Sequence, residues 1–210
     1  MEKHIYFVRH GESEENLDGV YRGSSAQLTE TGKEQAKLLA ERIQRIGIDA
    51  LIASPFARAH DTAVPIAELT GVALESSELL GEWLEPSHLV GLHFENPERK
   101  SVRDAIKSAT HDDGFRHSDE ETFSELAARA RAVISVLAEH PAQRICVVTH
   151  GGFLRVIIGV LVFGDDFTKK ELGYLLDHFG TTNTGVTYAK RKDGASDWRI
   201  VTWNDQSHLG

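Results

Sequence analysis

The sequence predicts an α/β protein: a three-layer αβα sandwich around a mostly parallel sheet with an antiparallel edge strand. Three observations predict it. Short apolar runs rich in β-branched residues alternate with longer segments whose apolar residues recur at helical spacing, the pattern of strand–crossover–strand units. A chain of 210 residues can bury one core of that size without staples. No Gly/Ser linker, internal repeat or low-complexity stretch divides it, so residues 1–210 read as a single domain.

Taken in order, the first strand spans about His4 to Val8, an apolar run suited to burial on both faces. Thr29 is placed to cap a helix over Gly32–Ile46, where Ala36, Leu39, Ala40 and Ile43 share one face. Gly47 follows as its terminator. Ala50–Ala53 is the second strand, Phe56–Leu69 the next helix, Gly71 its stop and Val72–Leu74 a short third strand. Helices are expected near Ser101–Ala109 and Glu120–Glu139, a fourth strand at Arg144–Val148, and a helix at Gly152–Val162. Gly185–Ala189 and Trp198–Trp203 read as late strands joined by the hairpin signal Lys192-Asp193-Gly194. The stretch from Glu82 to Asp119 is rich in His, Pro and charge. It is the least regular part of the chain and reads as an irregular insertion covering the site.

Composition narrows the partners. A formal net charge of −9 argues against a nucleic-acid surface, while leaving room for a local cationic pocket. The single cysteine, Cys146, excludes an internal disulfide framework, and its run Ile145-Cys146-Val147-Val148 suits packing. The N-terminus lacks an apolar signal region, and no apolar run approaches the ~18 residues of a membrane span. A cytoplasmic protein without membrane partners is therefore expected, and a homodimer is compatible with this composition. Histidines at 4, 10, 88, 93, 111 and 117 match no tight metal-ligand spacing, so no metal or other cofactor is expected.

The most informative segment is Ile5-Tyr6-Phe7-Val8-Arg9-His10-Gly11-Glu12-Ser13. An apolar strand stops abruptly at a cation and an imidazole. Open parallel sheets bind ligands at the carboxyl ends of their strands, and a charge there needs a partner that an anion such as phosphate would supply. Three constellations follow suit. Ser54-Pro55-Phe56-Ala57-Arg58-Ala59 puts Arg58 in the first turn of a helix, where its charge opposes the helix dipole. Val147-Val148-Thr149-His150-Gly151-Gly152 repeats the logic of the first strand, with a helix start whose N–H groups suit an anion. Leu80-Gly81-Glu82-Trp83 offers an acid after a short strand. Arg9, His10, Arg58, His150 and Glu82 together form a phosphoryl-transfer set. Two arginines can fork onto phosphate oxygens, a histidine can attack phosphorus, and a carboxylic acid can protonate the departing oxygen. The bland alternative is a set of strand ends that simply reach solvent.

These residues resemble the histidine phosphatase superfamily, the phosphoglycerate-mutase-like group. Val8-Arg9-His10-Gly11-Glu12-Ser13 with Asn16 is similar to its opening signature, and Gly23, Leu28-Thr29, Gly32 and Gln35-Ala36 to the following segment. Ala53 to Ala59 with Thr62-Ala63, Leu80-x-Glu82, and Val148 to Gly152 are similar to its later blocks, and Asn204 with His208-Leu209 to its tail. The resemblance implies that His10 becomes phosphorylated, that Arg9, Arg58 and His150 hold the phosphoryl group, with Gly151 a further substrate-binding candidate beside them, and that Glu82 donates the proton, without metal. Asn16 and Gly23 would line the substrate pocket. Arg22 stands where members of the family carry Thr or Ser, and adds a candidate substrate cation. The stretch after Glu82 departs from the family pattern, so Glu85 and Glu78 remain substitutes for the acid. The expected function is metal-independent hydrolysis of a phosphomonoester on a small phosphorylated metabolite. Alternatives are a phosphoglycerate mutase, a phosphohistidine protein phosphatase, and a non-catalytic binder of phosphate ligands on this fold.

Overall fold

The computed structural model describes residues 2–109, 112–192, 194–195 and 197–210. Among these residues, six strands form one sheet: β1 (Glu2–Arg9), β2 (Ala50–Ala53), β3 (Leu74–Ser76), β4 (Arg144–Thr149), β5 (Val186–Lys192) and β6 (Arg199–Asp205). Their order is β3-β2-β4-β1-β5-β6. The first four are parallel to one another, and β5 and β6 form the antiparallel edge. The helices are α1 (Glu14–Asp18), α2 (Glu30–Ile46), α3 (Ala57–Thr70), α4 (Pro97–Ser108), α5 (Phe123–Glu139), α6 (Gly151–Phe163) and α7 (Lys169–His178). The fold class is the predicted one, an α/β sheet flanked by helices.

Period-two alternation builds the layers. Val8, Leu51, Ala53, Cys146 and Val148 pack against Leu39, Ala40 and Ile43 of α2 and Ala59, Ala63 and Ile66 of α3. Their strand neighbours Ile5, Phe7, Ile52, Ile145 and Val147 pack the other way, against Leu126 and Ala130 of α5 and Phe153, Leu154 and Ile157 of α6. Each large side chain buried here contributes about 1.5–3 kcal/mol. The caps fall where the sequence put them. The Thr29 side chain accepts from the Gly32 N–H, and Gly47 and Gly71 end α2 and α3 with positive φ. Gly32 also admits the loop after β1, because a Cβ there would lie 2.0 Å from the Glu12 carbonyl.

Several boundaries moved. β3 starts at Leu74, where it meets Leu51, and runs to Ser76 rather than spanning 72–74. α4 begins at Pro97 because the Asn96 side chain caps it through the Glu98 and Arg99 N–H groups. α5 begins at Phe123, behind a Thr122/Glu125 capping box. Two helices were not expected from the sequence, the five-residue α1 and α7. Thr168 and Glu171 form a capping box that marks the start of α7. Lys192 belongs to β5 rather than to a turn, and Asp193 of the hairpin signal lies outside the described residues, as does His111. Tyr21, from the loop after α1, joins Leu89 and Val102 of the stretch between β3 and α5, and together they gather Leu92, Phe94 and Ile106 into a small cluster of their own. No helix among the described residues is long and apolar enough to cross a membrane.

Candidate active site

Strand register delivers the two histidines together. β1 and β4 are parallel neighbours with Arg9 opposite Thr149, so the next residues, His10 and His150, emerge side by side. Both continue the even-numbered face that packs on α2 and α3. Their ring centroids lie 5.2 Å apart, and they are 3% and 0% exposed.

Partners fix the His10 ring. Nδ1 lies 2.7 Å from the Gly11 carbonyl, which can only accept, so Nδ1 carries the proton. Nε2 accepts from Arg58 Nε at 3.1 Å and therefore holds a lone pair. Burial, reinforced by the charges of Arg58 and Arg9, holds the His10 pKa well below that of a free imidazole. The geometry and the lowered pKa both favour the neutral ring with Nε2 unprotonated. Arg58, at the first turn of α3, is 3% exposed and gives Nη1 to the Gly23 carbonyl at 2.6 Å. Gly23 has φ +58°, which turns that carbonyl inward. Thr62 ties the two loops together, accepting from Gly11 N at 2.9 Å and donating to the Arg58 carbonyl.

His150 caps α6 and is held through Nε2, 2.9 Å from Ser54 Oγ. Ser54 Oγ also accepts from Phe56 N; when its own proton points to His150 Nε2, the imidazole carries its proton on Nδ1. That Nδ1 is buried without a partner. Burial first, then Arg58, His10 and Arg9, keep the His150 pKa well below the usual value. Arg9 gives Nη1 to the Thr181 carbonyl at 2.6 Å, and its Nε is also buried without a partner. Gly151 makes room for this arginine, since a Cβ there would stand 3.2 Å from Arg9 Nε and 2.8 Å from Thr181 Oγ1. Buried polar nitrogens without partners are rare. Two of them, beside a guanidinium and a neutral histidine, suit an anion with several oxygens.

Glu82 faces the same place from the loop after β3. Its carboxyl accepts from Trp83 N at 2.9 Å and from the first turn of α6, Phe153 N at 2.7 Å and Gly152 N at 3.1 Å. The substitutes sit elsewhere. Glu85 pairs with Arg99 at 2.8 Å, and Glu78 opens a 3₁₀ turn. Asn16 Oδ1 accepts from Asn183 Nδ2 at 3.0 Å, and Asn183 also donates to the His10 carbonyl at 3.0 Å. Arg22 is turned onto Asp18 in a two-pronged ion pair, with Nη1 2.7 Å from Oδ1, so its charge is engaged at the rim. Sequence reading missed Ser54 as a partner, Thr181 and Asn183. The tail residues it noted brace that segment: Asn204 accepts from Thr182 N at 2.8 Å, and His208 meets Thr184 Oγ1 at 3.0 Å.

No group of three or more His, Cys, Asp or Glu among the described residues is arranged to hold a metal ion. Cavity size is a poor guide here. A cavity of about 1240 Å³ lies between α5, the end of α6 and the β5–β6 edge, and contains none of these side chains.

Comparison with known proteins agrees with this geometry. The model of the histidine phosphatase superfamily (branch 1) matches residues 5–206. A probable phosphoglycerate mutase, GpmB, of Photorhabdus laumondii is 31% identical, covering 98% of this chain and 94% of its own. A metal-independent phosphoserine phosphatase of Arabidopsis thaliana is 32% identical, over 98% and 82%. Among solved structures, a mycobacterial glucosyl-3-phosphoglycerate phosphatase superposes with a TM-score of 0.78 at 22% identity, over 98% and 100% of the two chains. A phosphoserine phosphatase from Entamoeba histolytica superposes at 0.79 and 22%, over 99% of each. With a family model matched over nearly its whole length, this chain belongs to the histidine phosphatase superfamily.

Proposed function

We propose that this protein is a metal-independent phosphatase that hydrolyses a phosphomonoester through a phosphohistidine on His10. The observation that carries the reading is the His10 ring, buried, neutral and oriented with its Nε2 lone pair beside Arg58. Nε2 attacks phosphorus and the ester P–O bond breaks. Glu82 gives its proton to the leaving oxygen. Water then attacks phosphorus and gives its proton to the Glu82 carboxylate as the P–N bond breaks, returning neutral His10, protonated Glu82 and inorganic phosphate. Arg9, Arg58 and His150 supply donors for the equatorial oxygens, which carry most of the charge in such a transition state. Gly23 and Gly151 orient Arg58 and Arg9, and Asn16 sits behind His10 through Asn183.

The substrate class is a small phosphorylated metabolite. Phosphoserine is the first ester to assay, because a relative of similar length is named for it. A second reading is phosphoglycerate mutase action, favoured by the name of another relative. It differs only in the acceptor, a phosphoglycerate hydroxyl in place of water. Brief reaction with labelled ester should leave an acid-labile, base-stable label on the wild type and none on His10→Ala, with turnover indifferent to EDTA. A label on another residue would overturn the reading. Transfer of label to phosphoglycerate in preference to release as inorganic phosphate would favour the mutase.

A further inference from the structure

The structure assigns Arg129 a role that rests on the phosphatase reading: it is a positioning residue that holds the proton donor Glu82 in register without touching substrate. Arg129 lies on α5, outside the catalytic set, and its side chain is only 16% exposed. All five of its N–H donors are engaged. Nε and one Nη2 hydrogen form a fork onto Glu121 at 2.7 and 2.6 Å. Nη1 donates to the carbonyls of Leu79 and Gly81 at 2.9 and 2.8 Å, and Nη2 reaches the Glu82 carbonyl at 3.5 Å. Three of the five donors thus grip the backbone of the loop that carries the acid.

That loop needs an external clamp. Between β3 and the next helix it contains only short 3₁₀ turns, and just before the acid the carbonyls of Leu79, Leu80 and Gly81 are met by side chains, those of Arg129 and Thr149. Glu121 extends the clamp to the far side of Glu82. Its carbonyl accepts from Trp83 Nε1 at 3.0 Å, and its N–H donates to the Leu84 carbonyl at 3.0 Å. The guanidinium also stacks 3.8 Å from the centroid of Phe153, and Phe153 N is one of the three donors that receive the Glu82 carboxyl. One side chain therefore registers both the backbone of the acid and the helix turn that receives its carboxyl. A planar fork can do this and an ammonium cannot, since lysine presents its donors from a single nitrogen.

The test uses the leaving group. Nitrophenolate departs readily unprotonated, whereas an alkoxide does not, so only alkyl esters need the acid. Single-turnover alcohol release is measured for an alkyl phosphate and for p-nitrophenyl phosphate, with R129K, R129Q, E121Q and E82Q. General acid catalysis is worth about 10²–10⁴-fold, and a displaced acid should lose part of it. R129K, R129Q and E121Q should lose about 10–100-fold on the alkyl ester and less than about threefold on p-nitrophenyl phosphate. R129K added to E82Q should cost nothing further on the alkyl ester, because both changes act through one group. Equal losses on both esters, additive losses in the double variant, or failure of all three single variants at these positions to fold would each overturn the proposal. A wild type that forms phosphohistidine with both esters keeps the phosphatase reading whatever R129K does. A wild type that forms it with neither overturns both.

Discussion

Arg58→Ala should disable the site in two separable ways. The guanidinium is 3% exposed and donates to His10 Nε2 at 3.1 Å and to the Gly23 carbonyl at 2.6 Å. Alanine removes a charge and both hydrogen bonds from a water-poor pocket. Loss of one such donor to a developing oxyanion costs about 10²–10³-fold in kcat, or about 2.7–4 kcal/mol. The second effect falls on the nucleophile. Burial and then Arg58 are the largest causes of the depressed His10 pKa. The substitution deletes the second cause and weakens the first by admitting water, and both changes raise the pKa. The acid limb of kcat/KM, which reports groups of the free enzyme, should therefore move toward neutral pH. Arg58→Lys restores the charge but not the fork, so it should recover little of the rate. The assay is a pH profile of kcat and kcat/KM for wild type and both variants. A loss below tenfold, or an acid limb that stays in place, would refute the argument.

His10 and His150 are both held neutral by burial, with pKa values well below that of a free imidazole. The unfolded chain therefore takes up protons that the folded one refuses, and stability should fall as pH drops through about 6.5. Urea midpoints between pH 7.5 and 5 check this, and a flat curve would contradict it. Gly151→Ala should preserve the fold but displace Arg9, given the 3.2 Å approach of a Cβ to Arg9 Nε. Inhibition by inorganic phosphate should weaken by about tenfold or more, the worth of one charge-assisted hydrogen bond, and an unchanged inhibition constant would count against it.

Much of the fold was legible because its signals are local. Leu39 and Ile43, one turn apart, and the alternation of Ile145 and Val147 with Cys146 and Val148 each state which surface is buried. Thr29 and the glycines at 47 and 71 are local caps. Where the signal was short, reading failed. α1 has five residues and buries none of them, so no periodicity exists to detect. The chain near Val72 is apolar enough for a strand, but pairing begins only where Leu74 meets Leu51, a tertiary condition. The start of α4, a helix expected only from Ser101, and the whole of α7 did carry signals, Asn96-Pro97 and Thr168 with Glu171. They lay in stretches whose charge masked the periodic residues.

The site divides along the same line, and the division has a physical cause. Arg9, His10, Arg58 and His150 stand at the ends of strands or in the turns that follow them, so strand geometry alone delivers them to one edge. The residues that hold them obey no such rule. Ser54 meets His150 across 96 positions, Asn183 reaches His10 across 173, and Arg129 reaches Gly81 across 48. None announces itself, because serine, asparagine and arginine are ordinary surface residues until a fold buries them. What marks them afterwards is saturation: Asn183 bridges a backbone carbonyl and a side-chain amide, and every Arg129 donor is engaged. Two atoms of the candidate phosphoryl site show the opposite pattern, with Arg9 Nε and His150 Nδ1 buried and unpartnered. Arg99 Nε is buried and open as well, so an open nitrogen points to the phosphoryl pocket only where, as at Arg9 and His150, it accompanies His10 and Arg58. Arg22 stands apart from this set at the rim, its guanidinium engaged by Asp18.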